Sequence, residues 1–317
     1  MPRPTWIFAA AMSFLVAVAT AAADGGNFTM PWMCLQRCGN TTAAEAFAHA
    51  RHVCASRPFI NYVSFEKFNL GANSTLVDNT DLADVGPVLR ACGLRTVPMV
   101  SSFPYPPQFL DWMRQLFAAP AAFVDALRAA LAAGGYDGVN VDFEPTVAAT
   151  AADAQAYAAF LTTLRTELGR DGRFVTVDTA TWNSLWNFTA LSAAMRASAC
   201  PALPSAAKRD AHDQPTTPPM PACLPPGYVV TMSTYTNSLA AFQQQLAFAT
   251  ANVAPAALTV GLQTWPLANE TEAGVAARFA ALEGAAVCRL GVWKWPPPPY
   301  WLPHLERFAH RCGFHRK

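Results

Sequence analysis

The chain has 317 residues, of which 52% are hydrophobic and 14% charged. It is long enough for one large core and too apolar for a disordered polypeptide. The formal net charge is +1, with neither a basic stripe nor an acidic tail, which argues against a nucleic acid or a strongly basic partner.

Residues 1–23 read as a secretory signal segment. Arg3 supplies a short positive region, Ile7 to Val18 is apolar, and Ala21-Ala22-Ala23 offers small residues before a cut ahead of Asp24. A signal anchor is the alternative, for which the apolar run is short. No later stretch is long and apolar enough to span a membrane, so residues 24–317 are expected to form a single domain without stable membrane insertion, and a monomer. The eight cysteines are Cys34, Cys38, Cys54, Cys92, Cys200, Cys223, Cys288 and Cys312. An even number suits an oxidising compartment, and their pairing is open. Five acceptor sequons, at Asn27, Asn40, Asn73, Asn187 and Asn269, fit a glycoprotein surface. These features point to an extracellular protein or one in a lysosomal or vacuolar lumen. The Cys34-x-x-x-Cys38 spacing has no His or Cys pair nearby, so a zinc site is a weak reading.

Beyond the signal segment, strand-like runs alternate with helical ones. Met30 to Leu35 is a first strand and Phe59 to Phe68 a second. Leu82 to Cys92 is a short helix closed by Gly93, and Leu94 to Phe103 a third strand. Phe109 to Ala133 is helical, with room for a break at Pro120. Gly138 to Glu144 is the fourth strand, followed by a helix over Asp153 to Leu168. Phe174 to Thr181, Tyr228 to Tyr235, Leu258 to Trp265 and Leu290 to Trp295 are the remaining strands. Helical patterns cover Trp186 to Ala199, Leu239 to Ala251, Glu272 to Gly284 and Trp301 to Arg311. Eight such units predict an α/β fold of the (β/α)8 TIM-barrel type. An open doubly wound sheet competes, but no Gly-rich phosphate turn follows the first strand. A proline-rich insertion over Cys200 to Pro226 precedes the sixth strand. It reads as a surface loop, with a Cys200–Cys223 bridge or a lid as further options.

The fourth strand carries the chemistry. In Tyr136-Asp137-Gly138-Val139-Asn140-Val141-Asp142-Phe143-Glu144-Pro145, apolar Val139, Val141 and Phe143 alternate with Asn140, Asp142 and Glu144. Residues two apart on a strand lie roughly 6.6–7 Å apart on one side, so Asp142 and Glu144 are expected in one site with Asn140 a layer below. Adjacent carboxyls push their pKa values apart, which is one way to obtain an acid and a base at neutral pH. A solvated edge strand is the plain alternative. In a barrel the site lies at the C-terminal strand ends. Those ends carry Glu66, Ser101-Ser102-Phe103, Asp142, Glu144, Asp178, Trp182, Tyr235, Gln263, Trp265, Trp293 and Trp295. An acidic and aromatic rim suits a carbohydrate, whose ring faces stack on aromatics and whose hydroxyls bond to carboxylates and amides. Packing is the alternative role for any one of these tryptophans.

The run Asp137 to Glu144 resembles the DGxDxDxE signature of glycoside hydrolase family 18, the chitinase-like barrels. Ser101-Ser102 stands where that family commonly has SxGG, and Met232-Ser233-Thr234-Tyr235 resembles its M-x-Y-D strand. The resemblance implies a retaining, substrate-assisted hydrolase of β-linked N-acetylglucosamine glycans, acting on an oligo- or polysaccharide with no cofactor and no metal. It implies that Glu144 is the general acid, that Asp142 orients the acetamido group, that Tyr235 hydrogen-bonds it and that Trp295 floors the sugar. Asn140, Glu66, Asp178, Trp182, Gln263, Trp265 and Trp293 would line the substrate.

The chain departs from the pattern at three places. Asn140 replaces the first inner Asp, and is expected to keep a hydrogen bond to Asp142. Thr236 replaces an Asp after Tyr235, and Ser101-Ser102-Phe103 lacks the glycines. A catalytically weak carbohydrate-binding barrel and a glycosidase for a non-acetylated sugar therefore stay open as alternatives.

Overall fold

A computed structural model describes residues 28–196, 227–264 and 271–313. The signal-like segment, Asn27, the Cys200 to Pro226 insertion with its suggested bridge, Trp265 and Asn269 all lie outside them. The strands are β1 (Phe28–Met33), β2 (Tyr62–Leu70), β3 (Leu76–Asp78), β4 (Arg95–Ser101), β5 (Gly138–Asp142), β6 (Phe174–Thr179), β7 (Tyr228–Thr231), β8 (Leu258–Gln263) and β9 (Arg289–Trp295). Eight of them pair in parallel in chain order, and β1 pairs with both β2 and β9, so the sheet closes into a barrel. β3 is an antiparallel extra strand on β2 that the sequence pattern does not announce.

The helices form an outer layer. They are the single turn α1 (Gln36–Gly39), α2 (Ala43–Ala55), α3 (Gly86–Ala91), α4 (Phe109–Ala118), α5 (Ala121–Gly134), α6 (Ala151–Arg170), α7 (Phe188–Met195), α8 (Leu239–Asn252), α9 (Glu272–Gly284) and α10 (Leu302–Arg311). Pro120 separates α4 from α5, since a proline removes a helix donor and fits only near a helix start. Helix α2 is missing from the strand–helix reading. Its buried stripe is only Ala46, Ala50 and Val53, too slight to register as amphipathic, but Thr42 and Glu45 form a full capping box at its start.

Two cores result, as expected when every strand is covered on both faces. Outward side chains pack under the helices; Phe143, for example, meets Phe109 at 5.5 Å and Phe160 at 6.4 Å. Inward ones fill the lumen in layers. The lowest is aromatic, with Phe28 4.6 Å from both Tyr62 and Tyr228, and Tyr62 5.0 Å from Phe174. Higher up the lumen is polar, as described below. Arg114 clamps α4 to α6 through a bidentate pair with Asp153, at 2.8 and 3.0 Å. Disulfides Cys54–Cys92 and Cys288–Cys312 tie the ends of α2 and α10 to their neighbours.

One irregularity moves a side chain. Trp32 of β1 stands opposite Trp293, but the next residue, Met33, stands opposite Trp295. The extra residue in β9 resets the alternation, as a bulge does. Trp293 therefore faces the lumen with Trp32. Trp295 is 1% exposed in the outer core, its indole Nε1 donating to His52 Nδ1 at 3.0 Å.

Candidate active site

Strand β5 delivers Asn140 and Asp142 to the lumen because Val139, Val141 and Phe143 are taken up by the outer core. Asn140 is fully buried and makes four hydrogen bonds. Its Oδ1 accepts from Trp32 Nε1 at 3.1 Å and Ser64 Oγ at 3.3 Å. Its Nδ2 donates to Thr176 Oγ1 at 2.8 Å and Asp178 Oδ1 at 3.1 Å. These bonds fix the amide orientation, since the reverse would set an NH2 against the indole N–H. They run to β1, β2 and β6; the expected bond to Asp142 is not among them. The Trp32 indole lies against Gly291, where any Cβ would meet its ring.

Above this layer lie Asp142 and Glu144, within hydrogen-bonding contact of each other. Burial is the main cause that raises both above the usual carboxylate range, and no cationic side chain offsets it. Each member therefore keeps its proton to higher pH than a free carboxyl, and the two titrate as a pair. Oδ1 of Asp142 is buried without a hydrogen-bond partner among the described residues. The Glu144 backbone N–H donates to Ser102 Oγ at 3.2 Å, and Ser102 N–H to the Asp142 carbonyl at 3.1 Å, so the end of β4 sets the height of the acid.

Burial and then the charges of Asp178, Asp142 and Glu144 raise the Tyr235 phenol well above its usual range, which places it beside all three carboxyls. Its ring packs on Gly261 of β8, where a Cβ would lie 2.7 Å from Cε1. Thr236 turns away: its carbonyl accepts from Arg278 Nη2 at 2.6 Å and its hydroxyl from Ser238 N–H at 3.3 Å. Asp178 is 2% exposed, and its carboxyl is also raised, chiefly by burial. Glu66 is buried and accepts the Leu35 N–H at 2.6 Å, where it holds the end of β1. Gln263 stands opposite Trp293 across β8 and β9, both half-buried.

A cleft of ≈ 520 Å³ opens above Glu144, lined by Tyr105, Pro145 to Ala148 and Trp182 to Ser184. Trp182 is 59% exposed and meets Trp186 edge-on at 5.4 Å. The structure thus brings Asp142, Glu144, Asp178 and Tyr235 together, sets Trp182 on the cleft wall and leaves Trp295 beneath the helices.

Two cleft residues escape the sequence pattern. Tyr105, at φ 61°, donates its hydroxyl to Glu144 Oε1 at 3.3 Å. Asn183 donates to the carbonyls of Val147 and Pro145 and accepts from the N–H groups of Ala149 and Leu185, which staples the loops after β5 and β6. Both sit in loops, where no periodicity marks a side chain. The proline-flanked Phe103-Pro104-Tyr105-Pro106-Pro107 was the available signal for Tyr105. Among the described residues no group of three or more His, Cys, Asp or Glu side chains is placed to hold a metal ion. Of the sequons, Asn40, Asn73 and Asn187 are exposed, and Asn187 also caps α7 through Oδ1.

The chain is a closed (β/α)8 barrel with a carboxyl cluster at the C-terminal ends of its strands. No protein-family model and no curated protein sequence matches it. Solved structures do. A chitinase from Chromobacterium violaceum superposes with a TM-score of 0.66 at 14% identity, over 89% of this chain and 98% of that one. A spore cortex-lytic enzyme from Bacillus megaterium gives 0.65 at 10%, over 90% and 73%. A glycoside hydrolase family 18 N-acetylglucosaminidase from Paenibacillus barengoltzii gives 0.57 at 11%, over 89% and 99%. At these identities the likeness establishes the shared barrel fold.

Proposed function

We propose that this protein is a glycoside hydrolase that cleaves β-linked N-acetylglucosamine glycans with retention, using the substrate's acetamido group as nucleophile. The observation that carries the reading is the unpartnered, buried Oδ1 of Asp142 beside the raised carboxyl of Glu144. A buried acceptor without a donor is costly unless a ligand supplies one, and an acetamido N–H is such a donor.

Glu144, held protonated by burial, gives its proton to the glycosidic oxygen as the C1–O bond breaks. The acetamido carbonyl oxygen bonds to C1, and Asp142 accepts from the acetamido N–H, which stabilises the cyclic cation. The Tyr235 hydroxyl bonds to the same group. Water then attacks C1 and loses a proton to the Glu144 carboxylate, which restores both the acid and the original configuration. The ring-floor role passes from Trp295 to Trp293, because of the two it is Trp293 that faces the lumen. Trp182 offers a further stacking face at the cleft wall.

Residues 1–23, the exposed sequons and the disulfides support passage through an oxidising secretory route, to the outside or to a lysosomal or vacuolar lumen.

The test is turnover of chito-oligosaccharides, with the product anomer read by NMR. Wild type should release the β-anomer, be blocked by a thiazoline mimic of the cyclised intermediate, and lose roughly 10²–10⁴-fold in kcat on Glu144→Gln. Binding without cleavage would make the protein a sugar-binding barrel. Cleavage insensitive to the thiazoline would point to a sugar without an acetamido group.

A further inference from the structure

We propose that Asp178 is a positioning residue for the Asp142–Glu144 pair, and that it supplies from β6 the carboxyl that Asn140 removes from the signature position on β5. The inference rests on the proposed hydrolase reading for the roles of Asp142 and Glu144, but its geometry does not.

The lumen layer under the acids holds one carboxyl and one amide in direct contact, Asp178 Oδ1 and Asn140 Nδ2 at 3.1 Å. In the signature that this chain resembles, the β5 position is the acid. The amide is committed: all four of its bonds are taken by Trp32, Ser64, Thr176 and Asp178. Asn140 thus neither exchanges a proton with Asp142 nor swings toward it without giving up its bonds to Trp32 and Ser64.

Asp178 is almost wholly buried and stands beside Asp142, each one residue past the paired Val141 and Val177 of β5 and β6, so Asp142 feels its charge. The titratable groups that surround it are Asp142 and Glu144 from β5 and its end, Tyr235 from the loop after β7 and Tyr157 from α6. Its polar neighbours are Asn140 and the Trp32 indole of β1. No Lys, Arg or His among the described residues contributes to its shift. The Asn140 amide and the Trp32 indole donate to it, but a buried acid with no cation to balance its charge is still expensive as a mere packing element. Beside a carboxyl pair, its charge state sets how firmly that pair keeps its proton. Ionising Asp178 disfavours ionisation of Asp142, the partner with which Glu144 shares the pair's proton. The proton stays on the pair to higher pH, where Glu144 needs it as a general acid.

The experiment compares wild type with Asp178→Asn, Asn140→Asp and the exchange double variant Asn140→Asp/Asp178→Asn. Two readouts are used: the pH profile of chito-oligosaccharide turnover, and the 13C-NMR titration of the side-chain carboxyls, with Glu144 assigned by its loss in Glu144→Gln. Asp178→Asn should move the alkaline limb of kcat and the Glu144 titration to lower pH by about one unit. The double variant, which returns the acid to β5, should restore both toward wild type. Should Asp178→Asn not fold, Asp178→Ser removes the charge without setting a second amide beside Asn140.

Superimposable Glu144 titrations in wild type and Asp178→Asn would overturn the proposal, as would a double variant no closer to wild type than the single one. The NMR arm stands even if no glycan is turned over, so loss of the hydrolase reading and loss of the Asp178 assignment are told apart.

Discussion

Trp293 and Trp295 are two residues apart and should answer to alanine in opposite ways. Trp295 is 1% exposed and packed in the outer core. Replacing a fully buried tryptophan by alanine costs about 3–5 kcal/mol. The lost hydrogen bond adds little, because the His52 partner is exposed and water replaces the indole. At about 2 °C per kcal/mol for a domain of this size, the melting temperature should fall by about 6–10 °C. The KM for a chito-oligosaccharide should hardly move at temperatures where the variant is folded. Trp293→Ala removes a half-buried ring that faces the lumen, with less loss of packing. Its cost should appear in binding: about 2 kcal/mol of ring-face contact, hence a roughly 30-fold drop in kcat/KM. Thermal melts and initial-rate kinetics on the two purified variants decide the matter. An unchanged melting temperature with a raised KM for Trp295→Ala would refute the assignment of faces and the bulge that produces it.

Three further outcomes follow from contacts remote from the cleft. The Asp153 carboxyl is held well below its usual range, first by its bond to Arg114 and also by the Thr150 cap. A depressed folded-state pKa gives stability that is present above the unfolded value near 4 and is lost as pH falls below it. Asp153→Asn should therefore destabilise by about 1.5–3 kcal/mol at pH 7, and the gap to wild type should shrink in denaturation curves taken below about pH 3. The Cys54–Cys92 bridge spans 38 residues, so its removal by paired serine substitution should cost about 4 kcal/mol on the chain-entropy model. Gly291→Ala forces a methyl into the Trp32 ring. It should cost about 1–3 kcal/mol as overpacking and broaden the indole N–H resonance of Trp32 as its bond to Asn140 is disturbed.

The barrel was legible because each strand and most helices carry their own pattern, and the lumen-facing acids of β5 stood out against their apolar alternation. Two elements were not. Helix α2 hides its buried face in alanines, and β3 is a three-residue strand whose pairing depends on the turn that precedes it. Within the site, Asp142, Glu144, Asp178 and Tyr235 converge because their strands do. Trp295 did not follow, since alternation carries information only until a bulge resets it. Tyr105 and Asn183 reach the cleft from loops, where position is set by a few specific hydrogen bonds that no period announces. The partners of Asn140 were equally hidden: which of its neighbours an amide chooses is a property of the closed lumen, with Trp32 108 residues away in sequence.

The amide of Asn140 also has a mechanical meaning. It links β5 to β1, β2 and β6 at one height, so it acts as a cross-brace inside the ring. A ring braced at mid-height resists shear between its staves. Asn140 and Asp142 of β5 are thus held by the ring itself, whereas Glu144, above it, takes its place from the rim through Ser102 and Tyr105, and amide exchange should be slowest in β5 and in the strands it is braced to.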